Sequence, residues 1–238
     1  MTIFSTSVAM TTSPASFASE TLVERVRANL ARVKERIAST GRDPGSVRIV
    51  GVTKTFGGEY VHAASLVGLA AVGENYVDEL CAKRAESADA LSWHFLGALQ
   101  TNKIHRVLTC ADVVCGVSRL KELEKIAQYD LVRRLYVQVD FTGAARRNGA
   151  PPEEVAQLVA RGRELGLRVD GIMTVAPDDP AGARRAFQST VDLADDLGLD
   201  ERSMGMSDDL EIACELGSTE VRIGRAIFGT RISATPLA

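Results

Sequence analysis

The spacing of apolar positions changes twice within the first sixty residues. From Glu20 to about Thr40 the residues Leu22, Val23, Val26, Leu30, Val33 and Ile37 recur mostly at intervals of three and four, the period of one helix face. Ser19 stands where a side chain can cap the first turn, and Gly41 where a helix can end. The run Val47-Arg48-Ile49-Val50-Gly51-Val52-Thr53-Lys54 reads differently. It is apolar and β-branched, entered through Asp43-Pro44-Gly45-Ser46 and left through Gly57-Gly58, and it predicts a buried strand with Lys54 at its carboxyl end.

From there strand-like and helix-like stretches alternate. Strands are expected over 69–73, 92–96, 112–117, 134–140, 168–173, 202–204 and 220–223, and helices near 59–66, 76–87, 102–108, 119–129, 152–165, 180–197 and 207–216. Counting the strand of Lys54, each strand but the last has a helix after it. That rhythm predicts an α/β fold, a single parallel (β/α)8 barrel of the TIM type with an extra N-terminal helix; a doubly wound open sheet is the fallback. No internal repeat or interdomain linker interrupts it. The expected division is a loose tail over 1–18 and one barrel over 19–238, with residues 143–152 as a long surface loop.

Composition narrows the partners. The chain has 238 residues, is 45% hydrophobic and 25% charged, and carries a formal net charge of -3. There is no basic field for nucleic acid or an anionic membrane, so any anionic ligand has to be held by local groups. No apolar run approaches the roughly 20 residues that cross a bilayer, and the Ser- and Thr-rich start lacks the apolar core of a secretory signal, which points to a cytoplasmic protein. Cys81, Cys110, Cys115 and Cys214 form no C-x-x-C pair, and His105 with Cys110 and Cys115 lacks a fourth zinc ligand; reduced, mostly buried thiols are expected.

Polar and glycine-containing motifs fall where the predicted strands end, the ligand-binding face of a barrel. Lys54 is one. A lysine held there among apolar neighbours can lose its proton and attack a carbonyl, although a lone lysine can also just leave the strand for solvent. Ser203-Met204-Gly205-Met206-Ser207 and Arg222-Ile223-Gly224 follow strands seven and eight, where many barrels bind a phosphate on backbone N–H groups. The bland alternatives are that Gly205 and Gly224 relieve turn strain and that Ser207 caps its helix. A strand-end lysine beside a phosphate site admits either a class I aldolase or a resting imine to pyridoxal 5'-phosphate. Arg222 bears on the choice, because arginine is one partner of that cofactor's ring nitrogen; otherwise it pairs with Glu220 or Glu215. His94, inside a strand, reads as a satisfied core residue, and Asp208-Asp209 as favouring a helix N-terminus.

The combination Val52-Thr53-Lys54, Gly73-Glu74-Asn75-Tyr76, Trp93-His94-Phe95-Leu96-Gly97 with Leu99-Gln100-Thr101-Asn102-Lys103, Gly171-Ile172-Met173, Ser203 to Asp209 and Val221-Arg222-Ile223-Gly224 resembles the pyridoxal phosphate homeostasis protein family, also called YggS or PROSC, from about Leu22 to Arg231. The resemblance implies an alanine-racemase-like barrel of fold type III with Lys54 as the Schiff-base lysine. It also implies cofactor contacts from Asn75, Ser203, Met204, Gly205, Ser207, Arg222 and Gly224, and a monomer. Where the family often has Ser or Thr after the glycine, this chain has Arg225, whose guanidinium either replaces that phosphate contact or points outward.

In the alanine racemases that this family resembles, a tyrosine from a second domain supplies the second acid–base group. The chain stops at Ala238, soon after its eighth strand, so that group is expected to be missing. An arginine at the ring nitrogen would weaken the cofactor as an electron sink. The expected function is to hold pyridoxal 5'-phosphate on Lys54 and to buffer it or deliver it to apoenzymes, without strong catalysis. The alternative is a single-domain racemase or lyase using Lys54 as its one base.

Overall fold

The computed structural model describes residues 18–87, 90–144 and 147–230. The tail expected over 1–18 thus lies outside the described residues except for Ala18. Among the described residues eight parallel strands close into a barrel in chain order: β1 (Arg48–Val52), β2 (Ala71–Glu74), β3 (Ser92–Phe95), β4 (Val113–Val117), β5 (Arg134–Val139), β6 (Arg168–Thr174), β7 (Glu201–Ser203) and β8 (Glu220–Ile223). The seam is β8 against β1, with Val50 opposite Arg222 and Gly51 opposite Ile223. The helices are α1 (Glu20–Ser39), α2 (Gly58–Leu66), α3 (Val77–Glu86), α4 (Ile104–Cys110), α5 (Leu120–Ile126), α6 (Pro152–Glu164), α7 (Pro180–Asp196), α8 (Leu210–Glu215) and α9 (Arg225–Phe228). This is the expected (β/α)8 barrel with an extra N-terminal helix.

The period of two in each strand sorts side chains between two interiors. Leu135, Val137, Val139, Val221 and Ile223 pack in the layer beneath the helices. Tyr136, with Val113, Cys115 and Met173, forms a separate small apolar cluster. Glu220 and Arg222, alternating with Val221 and Ile223, are buried as well, so the barrel interior contains charge. No described helix is long and apolar enough to cross a membrane.

α1 supplies cover that the last two helices are too short to give. α8 and α9 have six and four residues, and α1 packs against both of them and against α2. Its buried stripe is the one read from the spacing, Leu22, Val23, Val26, Leu30, Val33 and Ile37, and the Ser19 hydroxyl caps it by accepting from the Leu22 N–H at 3.2 Å. Asn29 donates to the Ile227 carbonyl at 2.7 Å, and Arg36 to the Ser207 carbonyl at 2.9 Å and to Glu211.

Four details differ from expectation. β8 is followed by a helix, α9. α8 starts at Leu210 rather than Ser207, because Gly205 adopts φ 100° and the Met206 N–H donates to the Asp209 carboxylate, closing a turn ahead of the helix. Ala150 bridges to Val139, its N–H donating to the Gln138 carbonyl of β5 at 2.8 Å and its carbonyl accepting from the Asp140 N–H at 2.9 Å, so the end of the 143–152 loop is docked rather than superficial. Finally, Cys81 on α3 and Cys110 at the end of α4 form a disulfide with Cα atoms 5.2 Å apart, whereas Cys115 and Cys214 are free and buried. The adjacent packing of α3 and α4 makes that pair, and a separation of 29 residues gives no local sign of it.

Candidate functional site

Lys54 lies two residues beyond β1, in the turn that leads to α2, and the residues on both sides of it are held. Thr53 is fully buried. Its N–H donates to the Gly73 carbonyl at 3.1 Å and its hydroxyl to Glu74 Oε1 at 2.7 Å, while its carbonyl accepts from Lys83 Nζ at 2.9 Å. Thr55 N–H donates to Glu79 Oε2 at 2.7 Å. Thr55 has φ 65°, a left-handed conformation that costs a residue with a Cβ roughly 1–2 kcal/mol, so this contact offsets local strain. Lys83 ties the group together through Glu74 at 2.8 Å and Glu79 at 2.9 Å. Burial raises the pKa of Glu74 against the opposing pull of Lys83 and Thr53. Burial also pushes Glu79 upward, but the Thr55 N–H and Lys83 outweigh it and the net shift is down.

Across the seam, Arg222 is 5% exposed. Its Nη1 donates to the Ser203 carbonyl and hydroxyl at 2.7 and 2.9 Å, and its Nη2 to the Thr174 carbonyl at 2.7 Å, binding β8 to β7 and β6. It makes no ion pair with Glu220 or Glu215; Ser203 and His94 lie against Glu220, and Arg184 holds Glu215. Burial lowers the pKa of Arg222, but guanidinium starts so high that the charge persists.

Six of the residues expected from the sequence, Lys54, Asn75, Ser207, Arg222, Gly224 and Arg225, line one cavity of about 620 Å³ at the carboxyl ends of the strands. Ser203, Met204 and Gly205 are not part of its lining. Met204 is fully buried with Phe187 and Ala213, and a Cβ on Gly205 would come within 2.5 Å of the Ala213 methyl. The packing reason for that glycine is therefore present, as it is for Gly224, where a Cβ would stand 3.2 Å from the Val52 carbonyl. Ser207 does not cap α8; its hydroxyl accepts from the Ala226 N–H at 3.3 Å, linking the segments that follow β7 and β8. Arg225 is exposed and pairs with Asp208. Gln138 and Asn148 also line the cavity and were not singled out, and Met173, the last residue of the Gly171-Ile172-Met173 motif, lines it too. Gln138 Nε2 donates to the Asn148 carbonyl at 2.9 Å, and the one sequence signal for it is a polar residue inside the apolar run of β5.

The alanine racemase N-terminal domain model matches residues 23–232. A Pseudomonas aeruginosa protein named pyridoxal phosphate homeostasis protein is 37% identical over 226 residues, 91% of this chain and 98% of the relative. A Bos taurus protein of the same name is 32% identical, over 87% of this chain and 86% of its own. The chain belongs to the pyridoxal phosphate homeostasis protein family. Among solved structures, PipY of Synechococcus elongatus with PLP bound superposes with a TM-score of 0.72 at 28% identity, covering 83% of this chain and all (100%) of that one. An alanine racemase of Clostridium difficile, at 17% identity and a TM-score of 0.71, shares the fold over 89% of this chain and 58% of its own.

Within this family member the barrel axis below the cavity is also polar. His94 Nδ1 lies 3.6 Å from Glu220 Oε2 and 4.0 Å from Cys115 Sγ, all three residues being buried. Burial pushes Glu220 upward, but His94, Ser203 and Arg48 overcome it and bring its pKa down to about 2. Burial raises the Cys115 thiol well above its ordinary range, which keeps it protonated and inert. His94 is thus a core residue, as its place in a strand suggested. At the amino ends of the strands, Arg48, Glu201, Arg134 and Asp170 form a chain of ion pairs beside a second hollow of about 550 Å³.

Proposed function

We propose that this chain binds pyridoxal 5'-phosphate in the cavity at the carboxyl ends of the strands, forms a Schiff base to it through Lys54, and buffers or delivers it in the cytoplasm without strong catalytic activity of its own. The observation that carries this reading is that Lys54, just beyond β1, and the buried cation Arg222 of β8, on the two sides of the barrel seam, open on one cavity. At about 620 Å³ it lies in the range of cofactor sites, roughly 300–1,000 Å³. Ser207, Gly224 and Arg225 stand where the phosphate would be received, in the loops that follow β7 and β8. Asn75 faces the same space from beyond β2. Ser203, Met204 and Gly205 act from behind, by fixing Arg222 and the turn that presents Ser207.

When bound, the cofactor supplies an aldehyde to the lysine amine and a ring that can draw electrons from an attached group. Arg222 keeps a positive charge where the ring nitrogen is expected, and a neighbouring cation disfavours protonation of that nitrogen. Racemisation also needs an acid–base group on each face of the substrate carbon. Among the described residues lining the cavity there is no His, Tyr or Cys, and the carboxylate of Asp208 is exposed and paired with Arg225. Both features support holding over turnover, as does the likeness to the pyridoxal phosphate homeostasis protein of Pseudomonas aeruginosa across 98% of that protein's length.

The test is the visible spectrum of the purified protein with added pyridoxal 5'-phosphate, before and after borohydride, with the adduct mapped by mass spectrometry. A bleachable band and an adduct on Lys54, both lost in Lys54→Ala, are expected. Unchanged cofactor stoichiometry and band in Lys54→Ala sink the reading, and Lys54-dependent turnover of D- or L-amino acids replaces the carrier with an enzyme.

A further inference from the structure

We propose that Lys83, Glu74 and Glu79 act together as positioning residues for Lys54, clamping the turn from both sides so that its amine is presented to the cavity in one geometry; for its consequence in cofactor capture, this rests on the function proposed above. Lys83 uses its three donors on the Thr53 carbonyl, Glu74 and Glu79. Glu74 takes the Thr53 hydroxyl, and Glu79 takes the Thr55 N–H. The bonds that leave the trio therefore land on the two residues flanking Lys54. None of the three residues lines the cavity, so they act on the lysine through its backbone.

A purely stabilising role explains this arrangement poorly. A buried ion pair is often no better for stability than apolar side chains of the same size, because desolvation consumes the Coulomb gain. Here Lys83 is 8% exposed and Glu74 fully buried. What the charges accomplish, and apolar groups could not, is to hold a carbonyl and an N–H on either side of one lysine while Thr55 keeps its left-handed backbone. The element that carries Glu79 and Lys83 is itself anchored, since Cys81, on the same helix between them, is bonded to Cys110 of α4.

Glu79→Ala removes the acceptor of the Thr55 N–H and half of the clamp, whereas Glu79→Gln keeps an amide oxygen able to accept it. Two readouts separate the clamp from the cofactor reading. The first is amide hydrogen exchange over residues 53–56 in the cofactor-free protein. Loss of one hydrogen bond predicts exchange roughly fivefold faster in Glu79→Ala and near the parent in Glu79→Gln. The second is the rate at which the absorbance band grows on adding pyridoxal 5'-phosphate, which slows by a similar factor, roughly fivefold, in Glu79→Ala and is rescued in Glu79→Gln. The double variant Lys83→Met with Glu74→Gln, which leaves no buried unpaired charge, slows the band as well. Parental exchange and parental rates in Glu79→Ala overturn the clamp. A parent that forms no band removes the cofactor reading, while faster exchange in Glu79→Ala still upholds the hold on the turn.

Discussion

The two ends of the barrel have hollows of similar size, about 620 Å³ at the carboxyl ends of the strands and about 550 Å³ at the amino ends, but they hold charge in opposite ways. At the amino ends Arg48 meets Glu201 at 3.0 Å and Glu220 at 3.2 Å, and Arg134 meets Asp170 at 2.7 Å. Burial works against the charge of both arginines, but Glu201 beside Arg48, and Asp170 together with Glu201 beside Arg134, outweigh it and their pKa values rise. Positive and negative groups there satisfy each other. At the carboxyl ends the buried cation Arg222 is satisfied by carbonyl oxygens and a hydroxyl, which orient it without cancelling its charge. Volume therefore does not distinguish the two ends; uncancelled charge beside a lysine does, and it lies at the end proposed above to bind the cofactor.

The largest effect follows from removing that cation. Arg222→Met leaves the Ser203 and Thr174 carbonyls without their donors, and loss of these charged hydrogen bonds is expected to cost roughly 3 kcal/mol in urea unfolding. Retention of pyridoxal 5'-phosphate, followed by equilibrium dialysis, should fall by about tenfold or more, the equivalent of 1.4 kcal/mol. Full retention in a folded Arg222→Met protein would break the contrast between the two ends.

Much of this end of the barrel is legible in the sequence, for a physical reason. Glu220 and Arg222 interrupt an apolar strand at every second position, and only a polar interior or a site makes that pattern stable. Lys54 is visible in the same way, as a charge ending an apolar run. Lys83 is not, because on α3 it looks like any solvated helix lysine, and only the packing of α3 against β2 brings it to Glu74 and Thr53. Gln138 hides inside β5, Asn148 reaches the cavity from a loop, and the outward turn of Arg225 depends on Asp208 being opposite. The Cys81–Cys110 bond likewise depends on two helices lying side by side.

The second effect concerns acid. Glu220 is depressed from the ordinary 4.5 to about 2, so its contribution to stability is present above 4.5 and is lost as the pH falls through the interval down to about 2. By linkage this amounts to something on the order of 3 kcal/mol, and Glu220→Gln should flatten the acid limb of melting temperature against pH. Glu74 has the opposite sign. Its folded pKa is raised, so its contribution is fully present below 4.5 and declines as the pH rises through the raised value. Glu74→Gln should therefore stabilise the protein relative to the parent more at neutral pH than at pH 4. A shared direction for the two variants would erase the difference between an interior carboxylate held by cations and one held mainly against burial.

The third effect is confined to the amino end. Glu201 accepts from Arg48, Arg134 and the Thr219 hydroxyl, so Glu201→Gln should cost roughly 2 kcal/mol of stability. Because its partners all lie away from the cavity, cofactor retention should stay at the parental level, which dialysis on the same sample as the unfolding curve checks. A joint loss of stability and retention would mean that the two ends are coupled through Glu220, which Arg48 and His94 share.

The smallest effect belongs to Arg225, the residue that follows Gly224 after β8. Its guanidinium pairs with Asp208 at the surface, with side chains 59% and 83% exposed, and an ion pair so open to solvent contributes at most about 0.5 kcal/mol. Arg225→Ala should leave the unfolding curve nearly unchanged. Yet Arg225 also lines the cavity mouth beside Ser207 and Gly224, where a phosphate would bring a charge that competes with Asp208. If the arginine turns inward to that charge, retention in Arg225→Ala falls, and the deficit shrinks as salt is added, because an exposed contact is screened. If it stays with Asp208, retention is parental at every ionic strength and the phosphate is held by the loop backbone and Ser207. Dialysis at low and high salt, with Arg225→Ser to offer a hydroxyl in place of the guanidinium, separates the two.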